Sequence, residues 1–239
     1  MYPRKIFVLV LLLLTSCLAD NKKPELKKNP HAEKFIKQFV QGVKGIERYY
    51  LLISIDNQSV SLSKIESLLK YHKEKVPNAL KRLQQSVAPA QMVFNINKIN
   101  KRAGYMSTQC AGCEVSNRYV YWSINKATKL MGIVSSTCGP ICESSLMFVK
   151  FNGDQQVDAK IEDYASQITP KFFLKDKTNT AYLEQDAWEV SITLPEVGTD
   201  ILFKLDNVNN KEVFQGNCIK LLWQKPLGTF KLGPLQWCS

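Results

Sequence analysis

Two close cysteine pairs carry the chemistry most open to reading from sequence. Cys110-Ala111-Gly112-Cys113 is followed, after 24 residues, by Cys138-Gly139-Pro140-Ile141-Cys142. Thiols at such spacing can do three things. Four of them can hold one zinc or iron–sulfur centre, and the glycines and proline suit the tight turns that such a centre needs. One pair, Cys110 and Cys113, has the spacing of a redox dithiol, which gains reactivity where the amides of a helix N-terminus stabilise a thiolate. Alternatively, the cysteines oxidise to structural cross-links. Glu114 to Ile124 reads as turn and strand rather than helix, and the Glu114 carboxylate opposes a nearby thiolate, which weighs against redox catalysis. Cross-links are therefore expected at Cys110, Cys113, Cys138 and Cys142. A hairpin between the pairs would bring them face to face, closing loops of roughly 25 to 30 residues worth about 3 to 4 kcal/mol each. Cys218 and Cys238 remain for each other. No metal or cofactor is implied.

The first residues bear on this choice through the compartment. Arg4 and Lys5 precede an apolar run from Ile6 to Leu14, closed by Leu14-Thr15-Ser16-Cys17. The run is shorter than the roughly 20 residues of a membrane-spanning helix, and its order of basic, apolar and small residues is that of an export signal. Its ending resembles the lipobox of bacterial lipoproteins. That resemblance covers the signal alone and implies cleavage before Cys17, lipid on Cys17 and a membrane partner through that lipid. Leu18, where an aspartate would signal retention, implies the outer membrane in a cell with two membranes. The other exported reading is an ordinary signal peptide cut after Ala19. Either way Cys17 is consumed and six of the seven cysteines remain, an even set suited to an oxidising compartment.

The rest of the chain must position these groups. Residues 1–16 read as signal, 17–29 as a lipidated tether, 30–91 as a helical or α+β subdomain and 92–239 as a mainly β domain, with the boundary near Ala88-Pro89-Ala90. Asn29-Pro30 is a helix start, and Ala32, Phe35, Ile36, Phe39, Val40 and Val43 recur with helical spacing over about 30–43. Ile46 to Ile55 reads as a strand. Leu62, Ile65, Leu68, Leu69, Val76, Leu80 and Leu83 form a second helical pattern, capped by Ser61 and divided or kinked at Pro77. Its other face, with Lys64, Lys70, Lys73, Lys75, Lys81 and Arg82, reads as solvated. From Val93 the period falls to two, which predicts an antiparallel meander over about 93–160 with a turn at 100–104 and a hairpin at Asn152-Gly153. A short helix around Ile161 to Ile168, ended by Pro170, precedes further strands at 188–194, 201–205, 213–214, 219–223 and 229–232. The expected fold is α+β and mostly antiparallel β, with N-terminal helices packed on a meander sheet or partly closed barrel and braced by disulfides.

Other chemistry is sparse. His31 and His72 lack ligand partners at useful spacing and read as surface residues. Asp154, Asp158, Glu162 and Asp163 do not match a calcium loop, and no nucleophile-elbow, zincin or phosphate-loop motif occurs. The net charge is +11, and residues 1–143 hold 22 basic against 9 acidic side chains. That balance suits an anionic envelope component or a protein partner. Nucleic acid is not expected for an exported chain. Arg102, Tyr105, Arg118, Tyr119 and Tyr121 mix basic and aromatic character and form a candidate binding face. The expected function is thus a non-catalytic envelope lipoprotein with a binding or assembly role. The alternatives are an envelope hydrolase with dispersed catalytic residues and a thiol–disulfide oxidoreductase using Cys110 and Cys113.

Overall fold

The computed structural model describes residues 28–239 apart from 88, 91, 140, 141, 160, 162, 163, 179, 186, 187, 209 and 239. Cys17 and the expected signal lie outside the described residues. Asn29 starts helix α1, Pro30–Gly42, its side-chain oxygen accepting from the amides of His31 at 2.9 Å and Ala32 at 3.3 Å. This satisfies two amides that have no partner within the helix. Ala32, Ile36 and Val40 form the buried stripe.

The expected strand over 46–55 is instead a helix, α2, Ile46–Leu52. Gly45 opens it at φ +66°, and Ile46, Tyr50 and Leu51 fall on one buried face at helical spacing. A short apolar run satisfies either period, and here tertiary packing decides. The cap of α3, Gln58–Tyr71, is Asn57 rather than Ser61. The Asn57 side chain accepts from the Val60 amide at 3.2 Å, while the buried Ser61 hydroxyl donates to the Ser54 carbonyl at 2.7 Å. Pro77 does divide the pattern, since α4, Asn78–Gln85, begins just after it.

Lys64 is not on a solvated face either. It turns inward, donating to the Tyr50 carbonyl at 2.9 Å with its ammonium 4.3 Å from the Tyr50 ring centre. Part of its stem meets solvent, but burial of the ammonium pushes its pKa down to about 7. The unfolded chain, with an ordinary lysine pKa, then binds more protons between that value and about 10.4, so stability rises with pH across the window. The penalty for the buried charge is complete below about pH 7. Lys64→Met should therefore stabilise the protein by about 2 kcal/mol at pH 6, less than the full shift because the carbonyl and ring offset part of the cost. Urea midpoints at pH 6 and pH 9.5 check this. A gain that grows with pH would contradict it.

The meander expected from about 93 to 160 is a six-stranded antiparallel sheet. It comprises β1 Phe94–Asn100, β2 Tyr105–Cys110, β3 Val115–Ser123, β4 Thr128–Cys138, β5 Cys142–Asn152 and β6 Gln155–Val157, paired in sequence order. A second antiparallel sheet contains β7 Val190–Thr193, β8 Ile201–Leu205, β9 Cys218–Gln224 and β10 Thr229–Leu232. The two open sheets do not close into a barrel. The first sheet is covered on both faces. On β3, Tyr119 and Tyr121 face the helices, while Val120 and Trp122 face the second sheet. The period-two alternation thus feeds two cores, one with α1 to α4 and one between the sheets. The connection between the sheets holds α5, Tyr164–Gln167, a 3₁₀ turn, Pro170–Phe173, and α6, Ala181–Gln185. Pro170 starts that turn, and Phe173 and Leu174 fill the inter-sheet core.

All three cystines lie at one end of the sheets; Cys218 pairs with Cys238 as expected, but the other two bonds lie within the close pairs rather than between them. Cys110 bonds to Cys113, Cys138 to Cys142 and Cys218 to Cys238. Register explains the correction. Cys138 and Cys142 are direct partners across β4 and β5, with Cα atoms 4.0 Å apart. β3 lies between β2 and β4, which sets Cys110 about 10 Å from the strand of Cys138. A disulfide spans less than about 7 Å between Cα atoms. The hairpin returns the chain, but one strand too far over.

Candidate functional site

At the opposite end, roughly 27 Å away along the nine residues of β3, the turns form an open cleft of about 780 Å³. The β1–β2 turn contributes Asn100, Arg102 and Ala103, β3 contributes Val120 to Ser123, the β7–β8 loop Val197 to Thr199, and the end of β9 Trp223 and Lys225. Two tryptophans form its wall. Trp122 is buried, and its ring lies 5.8 Å from Trp223 and 5.0 Å from Phe230. Gly132 makes room for it, because a Cβ there would stand 2.8 Å from the Trp122 ring.

The β7–β8 loop is held at several points. The Trp122 indole donates to the Thr199 carbonyl at 2.8 Å. Lys98 pairs with Glu196, and the Asn100 amide donates to the Glu196 carbonyl at 3.3 Å. Asp200 accepts from the Trp223 amide at 3.3 Å. The Lys98 hydrogen bond holds the Glu196 carboxyl below its ordinary pKa, so it remains ionised and paired. Among the described lining residues, the charged side chains are Arg102 and Lys225, and both are exposed. Ring faces with cations at the mouth can hold an anion that also offers apolar surface.

The candidate binding face divides. Arg102 and Tyr121 line the cleft, beside Trp122. Tyr105 is buried in the inter-sheet core, where burial, with the Glu196 carboxylate nearby, pushes its phenol pKa up. Arg118 lies on that same sheet face and donates to the Ser136 hydroxyl at 3.3 Å. Tyr119 packs edge-on to Tyr50 at 5.2 Å beneath the helices, and burial pushes its pKa up to about 12. Tyr105 and Tyr119 are therefore core residues, and Arg118 is half-buried and does not line the cleft. Val197, Trp223 and Lys225 were not legible as site residues because they arrive from the second sheet, about a hundred positions after Arg102.

A second groove, of about 550 Å³, runs between α1 and α3. His72 is a surface residue, as expected from sequence, but it has a partner. Its Nε2 lies 3.0 Å from the buried Glu47 carboxylate, which also takes the Lys101 ammonium at 3.1 Å. Phe39, Val43, Leu68 and Leu69 supply apolar walls. A carboxylate can orient a histidine as a base. Among the described lining residues, however, none is a serine, threonine or cysteine that such a base would activate. His31 is exposed at the start of α1. The Cys110–Cys113 bond sits in the β2–β3 turn, where the chain continues into strand, not at a helix N-terminus.

No protein-family model matches the chain, and no curated protein matches it. Among solved structures it is similar to a domain of an uncharacterized protein from Porphyromonas gingivalis W83, at 12% sequence identity and a TM-score of 0.48, over 80% of this chain and 99% of that chain.

Proposed function

We propose that this chain is a non-catalytic protein of the bacterial cell envelope, exported, anchored by lipid on Cys17, and binding an anionic envelope component at the tryptophan-walled cleft. The observation that carries the binding role is the composition of the cleft. Aromatic faces flanked by two exposed cations suit an anion that also offers apolar surface. Three disulfides fit an oxidising compartment, and the lipobox-like residues supply the anchor. The outer membrane is the expected location in a cell with two membranes, given Leu18 after Cys17. Peptide mass mapping of the protein isolated from membranes tests the anchor. The expected result is a Cys17 peptide carrying lipid. Unmodified Cys17 in membrane-derived protein would overturn the anchored reading.

A further inference from the structure

The rim of the cleft carries a feature that an anion in its interior leaves unexplained. Val197 is 85% exposed and Leu227 76% exposed, the two most exposed large apolar side chains among the described residues. Isolated exposed apolar residues are ordinary, but these two occupy the tips of separate loops at the same end of the sheets. Val197 tips the β7–β8 loop that walls the cleft, next to Gly198 at φ +89°. Leu227 tips the β9–β10 hairpin between Lys225 and Gly228. That hairpin packs on the β3–β4 turn, where a Cβ at Gly228 would stand 2.7 Å from Ile124. Exposed Lys126 lies in the same turn.

The exposed charge at this end is mostly positive: the half-buried Asp200 carboxylate, outside the ion pairs, is taken by the Trp223 amide and the Thr199 hydroxyl. Glu196 is paired with Lys98, and Asp154 with Arg48 at 2.5 Å. Arg102, Lys126 and Lys225 take no part in the ion pairs found among the described residues. Two apolar tips on hydrogen-bonded loops, a half-buried tryptophan and three exposed cations on one end of a molecule match what an anionic bilayer surface recognises. Apolar tips enter the boundary between headgroups and acyl chains, indole rings rest at headgroup level, and cations meet phosphates. A soluble glycan lying in the cleft would leave both tips in water, whereas a lipid surface covers them.

We infer that this end of the protein docks on anionic phospholipid, with Val197 and Leu227 inserted and Arg102 and Lys225 on lipid phosphates. This rests on the proposed reading and names its anionic component. The anchor is compatible with such a pose. Helix α1, 13 residues long, runs from Asn29 toward the cleft end, where Lys101 of the β1–β2 turn meets Glu47 of α2, a span of about 20 Å. The chain between Cys17 and Asn29 can extend to about 40 Å, so lipid and loop tips can reach one bilayer. Tethering raises the effective concentration of the docking end, so weak docking is enough.

The test uses the mature membrane-derived protein in vesicles of phosphatidylglycerol or phosphatidylcholine whose acyl chains are brominated near the glycerol end. Bromine should quench Trp223 in phosphatidylglycerol, a signal absent from Trp223→Phe. The paired change Val197→Asp and Leu227→Asp should reduce that quenching at least about five-fold, as should transfer to phosphatidylcholine. Both tips are exposed, so an unchanged near-ultraviolet spectrum confirms that the variant is folded. Absence of quenching in phosphatidylglycerol overturns the docking. Equal quenching in both lipids overturns the recognition of anionic headgroups. Absence of quenching together with a Trp223 emission shift on adding a hyaluronan oligosaccharide reassigns the cleft to an acidic glycan and overturns lipid docking. Mapping Cys17 in the same preparation separates the two readings. Lipid on Cys17 without quenching leaves the anchor standing and removes the docking, whereas quenching with bare Cys17 supports docking and removes the anchor.

Discussion

Trp122→Ala should cost about 3 to 5 kcal/mol of folding stability, the largest effect expected of a single substitution in this chain. The side chain is 3% exposed and sits where the two sheets meet. Its ring packs edge-on to Phe230 at 5.0 Å, tilted against Trp223 at 5.8 Å and against Phe148 at 6.4 Å. Truncation leaves a cavity that cannot collapse from below, because Gly132 has no side chain to move into it. It also removes the donor to the Thr199 carbonyl, one of the bonds that hold the β7–β8 loop. For a chain of this size the loss should appear as a fall in Tm of about 8 to 16 °C. Trp122→Phe retains most of the ring and should lose about half as much. Thermal melts of both variants check the order. A cost below about 1 kcal/mol for Trp122→Ala would mean that the inter-sheet core does not depend on this ring.

The same residue shows what was legible in the sequence. The alternation of Tyr119 and Tyr121 against Val120 and Trp122 marks β3 as a strand with two faces. It does not reveal that both faces are buried, because one core is built from helices that precede the strand and the other from strands some seventy or more positions later. Arg102 and Tyr121 were visible as candidate binding residues, but the cleft itself was not, because Trp223 and Lys225 come from the second sheet. The Glu47–His72 pair was hidden by the misread run from Ile46. As a strand that run points Glu47 away from its apolar neighbours, but as a helix it turns Glu47 toward His72 at the end of α3. Turn signals fared better. Asn29-Pro30, Pro77 and Asn152-Gly153 all mark observed boundaries, since local backbone sterics act there without tertiary help. The cystines fall between these cases. Oxidation follows from composition and compartment, but partner choice depends on strand order, which spacing alone does not encode.

The double change Cys218→Ala and Cys238→Ala should be the most destabilising of the three possible disulfide deletions, at about 3 kcal/mol. Loop length sets the order. Cys218 and Cys238 are 20 positions apart, against 3 for Cys110–Cys113 and 4 for Cys138–Cys142. A cross-link stabilises chiefly by restricting the unfolded chain, so the two short loops should be worth only about 2 kcal/mol each. The expectation from sequence, two long loops between the pairs, would have reversed that order. The native end of the chain does not depend on the sulfur bond alone. The Cys238 amide donates to Asn217 at 2.7 Å, the Asn217 side chain donates to the Cys238 carbonyl at 3.1 Å, and the Gln236 amide donates to the Cys218 carbonyl at 2.9 Å. Gly216 admits this strap, since a Cβ there would stand 2.7 Å from the Gln236 carbonyl. The folded geometry should therefore survive the deletion while the equilibrium shifts. Urea midpoints of the three double variants measure the ranking, and a larger loss for Cys138→Ala with Cys142→Ala would refute it. Because the cystines close the end of the sheets away from Trp122 and Trp223, the surroundings of these two rings should stay unchanged in all three, whereas Trp237, next to Cys238, should report the loss of that bond. Stability and the cleft are then separable, with the braces at one end and the binding surface at the other.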